Sequence, residues 1–358
     1  MNITRVSLSG FRNLTDTDIL TDSGINVFYG SNAQGKTNLL EAIWLFSGLK
    51  SFRGKDSELI NYERDSAKIK IDFNMDGRDQ TAEMTIAEQK KVKLNGVPLK
   101  SAGELTGNIR MIIFSPTDLS LIKDGPEVRR RFIDNAISQL WPKYVSLLSC
   151  YRRAVTQRNS IMRDVRFHAS LIDMLDVYER EIASTGAAII KYRQRYVELI
   201  NEFIENIYAG ISSGREHISV EYSAAAASAA ELYERLQNSR RDDIAAAVTS
   251  VGPHRDDLII NINDHSARSF ASQGQQRSAV LTLKMCEAAI IKKVSNCQPI
   301  ALLDDVMSEL DASRQDYILN HIKDWQVFLT CCDKNTVDMM RCGALFYVEN
   351  GRVSLDEG

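Results

Sequence analysis

Gly30-Ser31-Asn32-Ala33-Gln34-Gly35-Lys36-Thr37 decides how this chain is read. The run fits G-x-x-x-x-G-K-[ST], with an apolar strand candidate, Ile25 to Tyr29, before it and an apolar helix candidate, Leu39 to Phe46, after it. In that context a loop wraps phosphate: glycines let backbone N–H groups turn inward, and the helix N-terminus adds roughly half a positive charge. Lys36 is then expected on the terminal phosphates of ATP and Thr37 on Mg2+. With glycine at about 7% of residues, a chance match in a chain this long is on the order of one percent, so ATP binding is the primary expectation.

Working outward, the first 120 residues alternate short strand-like runs with turn signals: Ile3 to Leu8, Ile25 to Tyr29, Ile69 to Phe73, and Val92 to Leu94 running into an Asn95-Gly96 turn. From about Glu127 the period changes. Ile133, Ile137, Leu140, Tyr144, Leu147 and Tyr151 recur at helical spacing, with Pro142 expected to kink or restart the helix. A longer run holds the four-three pattern from Leu171 through Leu175, Tyr178, Ile182, Thr185, Ile189, Tyr192, Tyr196 and Leu199 to Phe203. It predicts a long helix whose narrow seam packs on one partner in a projecting hairpin, with an ordinary core helix as the alternative. Strand signals return after Asp243, at Leu258 to Ile262, Ile300 to Leu303, Val327 to Thr330 and Leu345 to Val348.

This pattern predicts an α/β head interrupted by a helical insertion: head at 1–120, helical lobe at 121–242, and the rest of the head at 243–358. A chain of 358 residues has room for two such lobes. Its 44% apolar and 25% charged residues exclude a disordered or collagen-like chain, and no spanning-length apolar run is present. The net charge of -3 does not advertise a nucleic-acid partner, so any such contact must come from a local basic patch. Six cysteines, at 150, 286, 297, 331, 332 and 342, are scattered without metal-ligand spacing, which with the absence of a leader-like N-terminus predicts a reduced, cytoplasmic protein.

Ile300-Ala301-Leu302-Leu303-Asp304-Asp305 is an apolar strand delivering two carboxylates at its C-terminal end, where open α/β sheets bind ligands. This is a Walker B pattern. Asp304 is expected to orient Mg2+, and Asp305 to polarise the attacking water. Between the two elements, Ser272-Gln273-Gly274-Gln275-Gln276-Arg277 opens an apolar helix from Ala279 to Ile291. A serine at an N-cap with glycine behind it is a ready anion site, although plain helix capping explains it equally well.

The S-Q-G-Q-Q segment is similar to the signature motif of ABC-type ATPases, and Ser308-Glu309-Leu310-Asp311 resembles their D-loop. Within that superfamily, Asn32, the early Phe11-Arg12-Asn13 and the helical insertion resemble the branch holding SMC proteins and the RecF family. The RecF motifs are matched most closely: F-R-N, G-S-N-A-Q-G-K-T-N-L-L-E-A, Arg129 to Asp134, Gly252-Pro253-His254-Arg255-Asp256-Asp257, S-Q-G-Q-Q-R and L-L-D-D-V-x-S-E-L-D. The resemblance spans essentially the whole chain.

It implies an ABC-type, SMC/RecF-like P-loop ATPase head with an inserted helical lobe, and an ATP-clamped homodimer. In that dimer Ser272, Gln273, Gly274 and Gln275 of one subunit close over nucleotide held by residues 30–37 of the other. It further implies binding to duplex DNA and duplex/single-strand junctions, RecA loading with RecR and RecO, a place in repair, replication and the SOS response, and weak DNA-dependent ATPase activity. Two departures stand out. Asp305 occupies a position where most such ATPases carry glutamate, which implies slow hydrolysis, and no switch histidine or Q-loop glutamine is evident. Thr330 is a stand-in for the first, and Phe114 to Lys123 is the region of the second.

For DNA the sequence offers one patch. Between Arg129 and Arg166 lie nine basic residues (Arg129, Arg130, Arg131, Lys143, Arg152, Arg153, Arg158, Arg163, Arg166) against Asp134 and Asp164. The competing readings are the ATP-binding subunit of an ABC transporter, a small-molecule kinase and a long-armed structural SMC-like protein. The first normally carries the missing histidine and a glutamate base, the second lacks a signature motif, and the third needs a far longer insertion.

Overall fold

In a sheet with one covered face, apolar residues must alternate with polar ones. Ala67, Ile69, Ile71 and Phe73 are buried between the less buried Lys68, Lys70 and Asp72. The computed structural model describes residues 1–165, 167–212, 214, 216–332 and 343–356. In chain order the elements are β1 (Asn2–Ser9), β2 (Thr17–Leu20), β3 (Ile25–Tyr29), α1 (Lys36–Trp44), β4 (Ala67–Met75), β5 (Arg78–Ile86), β6 (Lys91–Leu94), β7 (Val97–Leu99) and β8 (Met111–Phe114), then α2 (Ser120–Lys123), α3 (Pro126–Leu140), α4 (Lys143–Asp164) and α5 (Ile172–Ser212). There follow β9 (Ile218–Ser223), α6 (Ala229–Ala246), β10 (Asp257–Ile262), β11 (His265–Ser266), α7 (Ala267–Phe270), α8 (Gln273–Ser295), β12 (Ile300–Asp304), α9 (Ala312–Ile322), β13 (Val327–Cys331), β14 (Ala344–Glu349) and β15 (Arg352–Leu355).

The chain divides into two compact units, one of residues 1–118 with 281–358 and one of residues 119–280. The first unit holds two six-stranded sheets. One, ordered β2-β1-β4-β5-β6-β7, is antiparallel. The other is ordered β15-β14-β3-β13-β12-β8, parallel except for the edge strand β15. β12 and β13 are buried at every position, as strands covered on both faces require. Leu39 to Phe46 share one core with both sheets. The two chain halves are stitched by Gln326, which accepts from the Ile3 amide at 2.7 Å and donates to the Ile3 carbonyl at 2.6 Å.

Deep in this unit the α8 residue Glu287 lies beside Lys284, whose Nζ is 3.4 Å from Asp118. Burial pushes the Glu287 carboxyl from its ordinary 4.5 up to about 7. A raised carboxyl is neutral in both states at low pH, and its burial becomes costly as pH climbs from the unfolded value to the folded one. Stability therefore falls by about 3 kcal/mol between roughly pH 4.5 and 7 from this group. Glu287→Gln is expected to flatten that slope in urea unfolding measured at pH 5 and 7.5; an unchanged slope contradicts it.

The second unit is built on α5, 41 residues and about 60 Å long. Here the structure departs from the expected seam. Tyr178, Thr185, Tyr192 and Phe203 are only half-buried, and the covered face turns instead through Glu179, Gly186, Arg193, Ile200 and Ile204. The cause is that α5 packs on α3, α4, α6 and β9 together, so it is a core helix and not one arm of a projecting hairpin. Pro142 does restart the helix, between α3 and α4, and the restart shifts the buried position from Leu147 to Leu148.

The expected return to the head at 243 and the observed division after Val280 also differ. β10 pairs with β9 and β11 in a separate three-stranded sheet, which keeps residues 243–280 with the helical unit.

Two buried ionic networks lock this unit. Arg158 donates to Glu179 at 3.0 Å and to Asp243 at 2.7 Å, with side-chain exposures of 0%, 0% and 1%. Arg193 bonds Asp134 at 2.9 Å and the Pro253 carbonyl at 2.6 Å. Arg129 forks onto Asp257 at 2.7 and 2.8 Å, and Arg130 donates to the Asp256 carbonyl at 2.7 Å. The two sequence segments 129–134 and 252–257 therefore meet as a structural clasp. This reduces the expected basic patch: Arg129 and Arg158 are buried, while Arg131, Lys143, Arg152, Arg153 and Arg163 are exposed. Arg166 lies outside the described residues.

Candidate nucleotide-binding site

The parallel sheet of the first unit places three strand ends side by side. β13 sits between β3 and β12, so the loop after β3, the end of β13 and the acids after β12 share one edge. The loop runs through left-handed backbone at Gly30 (φ 147), Ala33 (φ 64) and Gly35 (φ 111), then enters α1 at Lys36. At Gly30 a Cβ would stand 2.2 Å from the Val348 carbonyl oxygen, so only glycine fits. Lys36 Nζ curls over the loop, donating to the carbonyls of Gly30 at 2.5 Å and Ser31 at 2.8 Å.

Thr37 Oγ1 donates to Asp304 Oδ1 at 2.7 Å, and Thr330 Oγ1 donates to the same oxygen at 2.9 Å. Burial raises the Asp304 carboxyl above its ordinary value, against the pull of these two hydroxyl donors. Thr330 Oγ1 also accepts from the Asp305 amide at 2.9 Å. Offered by the sequence as a switch residue, Thr330 braces both acids. Asp305 is held at φ 51, a strained conformation for a non-glycine residue, and receives Ser308 Oγ at 3.2 Å.

The donor set suits a nucleotide with Mg2+. A hydroxyl and a carboxylate at hydrogen-bond distance are the hard oxygen ligands Mg2+ takes from a protein, phosphate and water completing its shell. Among the described residues no group of three or more His, Cys, Asp or Glu could hold a metal.

The site also holds Cys332 and Arg12, which the sequence reading does not place there, and contacts around the expected loop residue Gln34. Cys332, just past β13, donates to Asn32 Oδ1 at 2.9 Å and lies 3.9 Å from Lys36 Nζ and from both Asp305 oxygens. It stands where a residue following Thr330 can reach the loop. Arg12 forks onto the fully buried Glu41 of α1 at 2.5 and 2.9 Å, joining the Phe11-Arg12-Asn13 segment to the helix behind the loop. The signal was available: an acid inside the apolar run from Leu39 to Phe46 demands a buried cation. Gln34 is clamped by the β14–β15 turn, its side chain accepting from the Asn350 amide at 2.5 Å and its carbonyl from Gly351 at 3.1 Å.

The signature segment lies in the second unit. Gln273 and Gly274 open α8, six residues before the expected start. Ser272 and Gln275 form a reciprocal capping box: the Ser272 amide donates to Gln275 Oε1 at 2.7 Å, and the Gln275 amide to Ser272 Oγ at 3.3 Å. Gln275 Nε2 also donates to Glu216 at 2.7 Å. The region expected to hold a Q-loop follows β8, where Ser115 and Thr117 share a hydrogen bond of 2.8 Å.

The family described as RecF/RecN/SMC N terminal domain matches residues 2–354. The chain is 39% identical over 362 residues to the DNA replication and repair protein RecF of Agathobacter rectalis, covering 99% of each. It is 41% identical over 334 residues to that of Lachnoclostridium phytofermentans, covering 92% of each. It superposes with a TM-score of 0.93 and 34% identity on a structure described as the recombination mediator protein RecF with ATP in the RecFOR pathway, covering 99% of this chain and 97% of the other. A Smc head domain from Pyrococcus furiosus matches at TM-score 0.55 and 17% identity, covering 99% of this chain and 95% of the other, a likeness of fold alone. The fold is thus that of an ABC-type, SMC/RecF-like P-loop ATPase head, and the chain belongs to the RecF family.

Proposed function

We propose that this protein binds ATP with Mg2+, dimerises on it, and in that form holds DNA in replication and repair. The observation that carries this reading is the meeting of Lys36, Thr37, Asp304 and Thr330 at one sheet edge. Lys36 exchanges its two carbonyl partners for terminal phosphates, while Thr37 and Asp304 hold the cation that bound nucleotide brings. Asp305 orients the attacking water; as a short carboxylate it does so at a distance, which makes hydrolysis slow and leaves ATP to act as a clamp. The first unit acts as the ATPase head and the second as its inserted lobe. Ser272 to Gln275 of one subunit close over the nucleotide of the other, and loss of the terminal phosphate releases the pair.

The exposed Arg131, Lys143, Arg152, Arg153 and Arg163 give sequence-independent contacts to backbone phosphates. Relatives in this family carry the name of DNA replication and repair proteins, and the RecFOR pathway named for the matched structure supports DNA, RecR and RecO as partners; the task we propose with them is RecA loading at duplex/single-strand junctions. Among the described residues no helix is long and apolar enough to cross a membrane, in keeping with a cytoplasmic site of action. Filter retention of a gapped duplex with ATP, ADP or no nucleotide tests the reading. Retention is expected with ATP alone and should fall steeply with salt; equal retention in all three contradicts it.

Cys332 supplies a second readout. Cys331 is buried and Cys332 exposed, so a maleimide should label Cys332 readily. Saturating ATP at a hundred times its dissociation constant is expected to slow that labelling about 100-fold, measured by intact mass with Cys332→Ser as reference. Labelling indifferent to ATP would place the nucleotide elsewhere.

A further inference from the structure

The break between α3 and α4 creates a second site in the helical unit. Pro142 ends α3 at Leu140 and leaves Trp141 outside helical backbone (φ -130, ψ 88). Its half-buried ring meets Tyr192 of α5 at 5.7 Å between centroids, and Tyr192 is in turn fixed edge-on by the buried Tyr144 at 5.3 Å. Trp141, Tyr192 and the small Ala188 line a cleft of about 380 Å³ with Lys191 and Arg195, both exposed. That volume is at the small end of the roughly 300–1,000 Å³ of small-ligand sites.

The rim is as telling as the floor. Lys191 and Arg195 are four residues apart on one helix face, a like-charge pair that costs a few tenths of a kcal/mol on an isolated helix. An anion at the mouth turns that repulsion into attraction. Arg195 also contacts Glu198 at 2.9 Å, a pair exposed on both sides and therefore weak competition. An aromatic floor with cations beside it matches one chemistry well: a flat unpaired nucleobase stacked on Trp141, with Tyr192 tilted 50° to it as a side wall, and its phosphates on the rim. A paired base cannot enter, because its faces are covered by its neighbours in the stack.

We infer that Trp141 and Tyr192 form a stacking site for an unpaired base of single-stranded nucleic acid, with Lys191 and Arg195 holding the flanking phosphates. The inference rests on the DNA-binding reading above and adds to it a contact specific to single strand.

Fluorescence tests it directly. Of the three tryptophans, Trp44 and Trp325 are 3% and 7% exposed, so quenching by an added strand reports Trp141. In the presence of ATP and Mg2+, titration with a 15-nucleotide oligothymidylate is expected to quench the wild type saturably, and a blunt 15-base-pair duplex is not. Trp141→Phe should abolish the signal. Tyr192→Ala should weaken single-strand binding roughly tenfold. Lys191→Gln with Arg195→Gln, both surface changes that leave folding intact, should lower its salt dependence.

ATP-dependent retention of duplex by the same variants separates the two readings. If wild type retains duplex but Trp141 is silent to single strand, the stacking site is wrong and the DNA reading stands. If no DNA of either form is bound, both fall. Quenching by polyglutamate and not by oligothymidylate would overturn the site in favour of an acidic protein partner.

Discussion

Arg158→Met is expected to destabilise the helical unit by about 3–5 kcal/mol, the usual cost of removing one member of a buried ion pair. For a unit of this size that is a fall in melting temperature of roughly 10 °C. The magnitude follows from what remains. Glu179 and Asp243 have side-chain exposures of 0% and 1%, and neither reaches water when the guanidinium is gone. Among the described residues Glu179 keeps Arg240 as its cation, and Arg240 is partly exposed. Arg158→Lys should recover little, since one ammonium cannot serve both acids and the Thr249 hydroxyl, which Arg158 reaches at 3.0 Å. Joining Arg158→Met to Glu179→Leu and Asp243→Leu should restore much of the loss, because the uncompensated charges disappear together. Calorimetry reads all three; a shift under about 2 °C for Arg158→Met would show that water already enters the network.

Lys36→Met carries the second large effect. The ammonium already spans two loop carbonyls, so it sits at the mouth of the loop without needing to be ordered. A charge-assisted hydrogen bond is worth about 1.5–3 kcal/mol, and in the proposed mode Lys36 would make more than one to phosphate. ATP affinity should therefore fall about 100-fold or more. Asp304→Asn should lose the Mg2+ dependence of binding and little of the rest, since asparagine still accepts from Thr37 and Thr330. Equilibrium dialysis of ATP with and without Mg2+ measures both. Unchanged affinity in Lys36→Met would remove the loop from nucleotide binding.

How far the sequence carried these conclusions depends on range. The loop, the acid-bearing strand and the return of strands near the C-terminus are local patterns: the spacing of glycines, an unbroken apolar run and an Asn-Gly turn each dictate their own backbone. Those readings match β3, α1, β12 and β14. What failed was a question of partners. Tyr178, Thr185 and Tyr192 keep the four-three spacing of a narrow seam on α5, yet the covered face includes Glu179 and Arg193. Charged residues enter a core when another segment neutralises them: Glu179 meets Arg158 and Arg240, and Arg193 meets Asp134 and the Pro253 carbonyl, all well removed in the chain.

The same blindness applies to the arginine count. Arg129 and Arg158 are indistinguishable by sequence from Arg152 and Arg153, and only tertiary packing separates a structural cation from a surface one. In the site, Cys332 was missed for a related reason. Its role comes from β13 lying between β3 and β12, an order of strands that no local pattern encodes.

The most direct test of an ATP-clamped, DNA-holding dimer is sedimentation velocity of wild type, Lys36→Met and Ser272→Arg with ATP and Mg2+, with and without a gapped duplex. Wild type is expected to sediment as a dimer and to carry DNA only when ATP is present, and both variants to remain monomeric and DNA-free. If all three sediment alike under every condition, nucleotide does not clamp two subunits together, and the proposed mechanism is wrong.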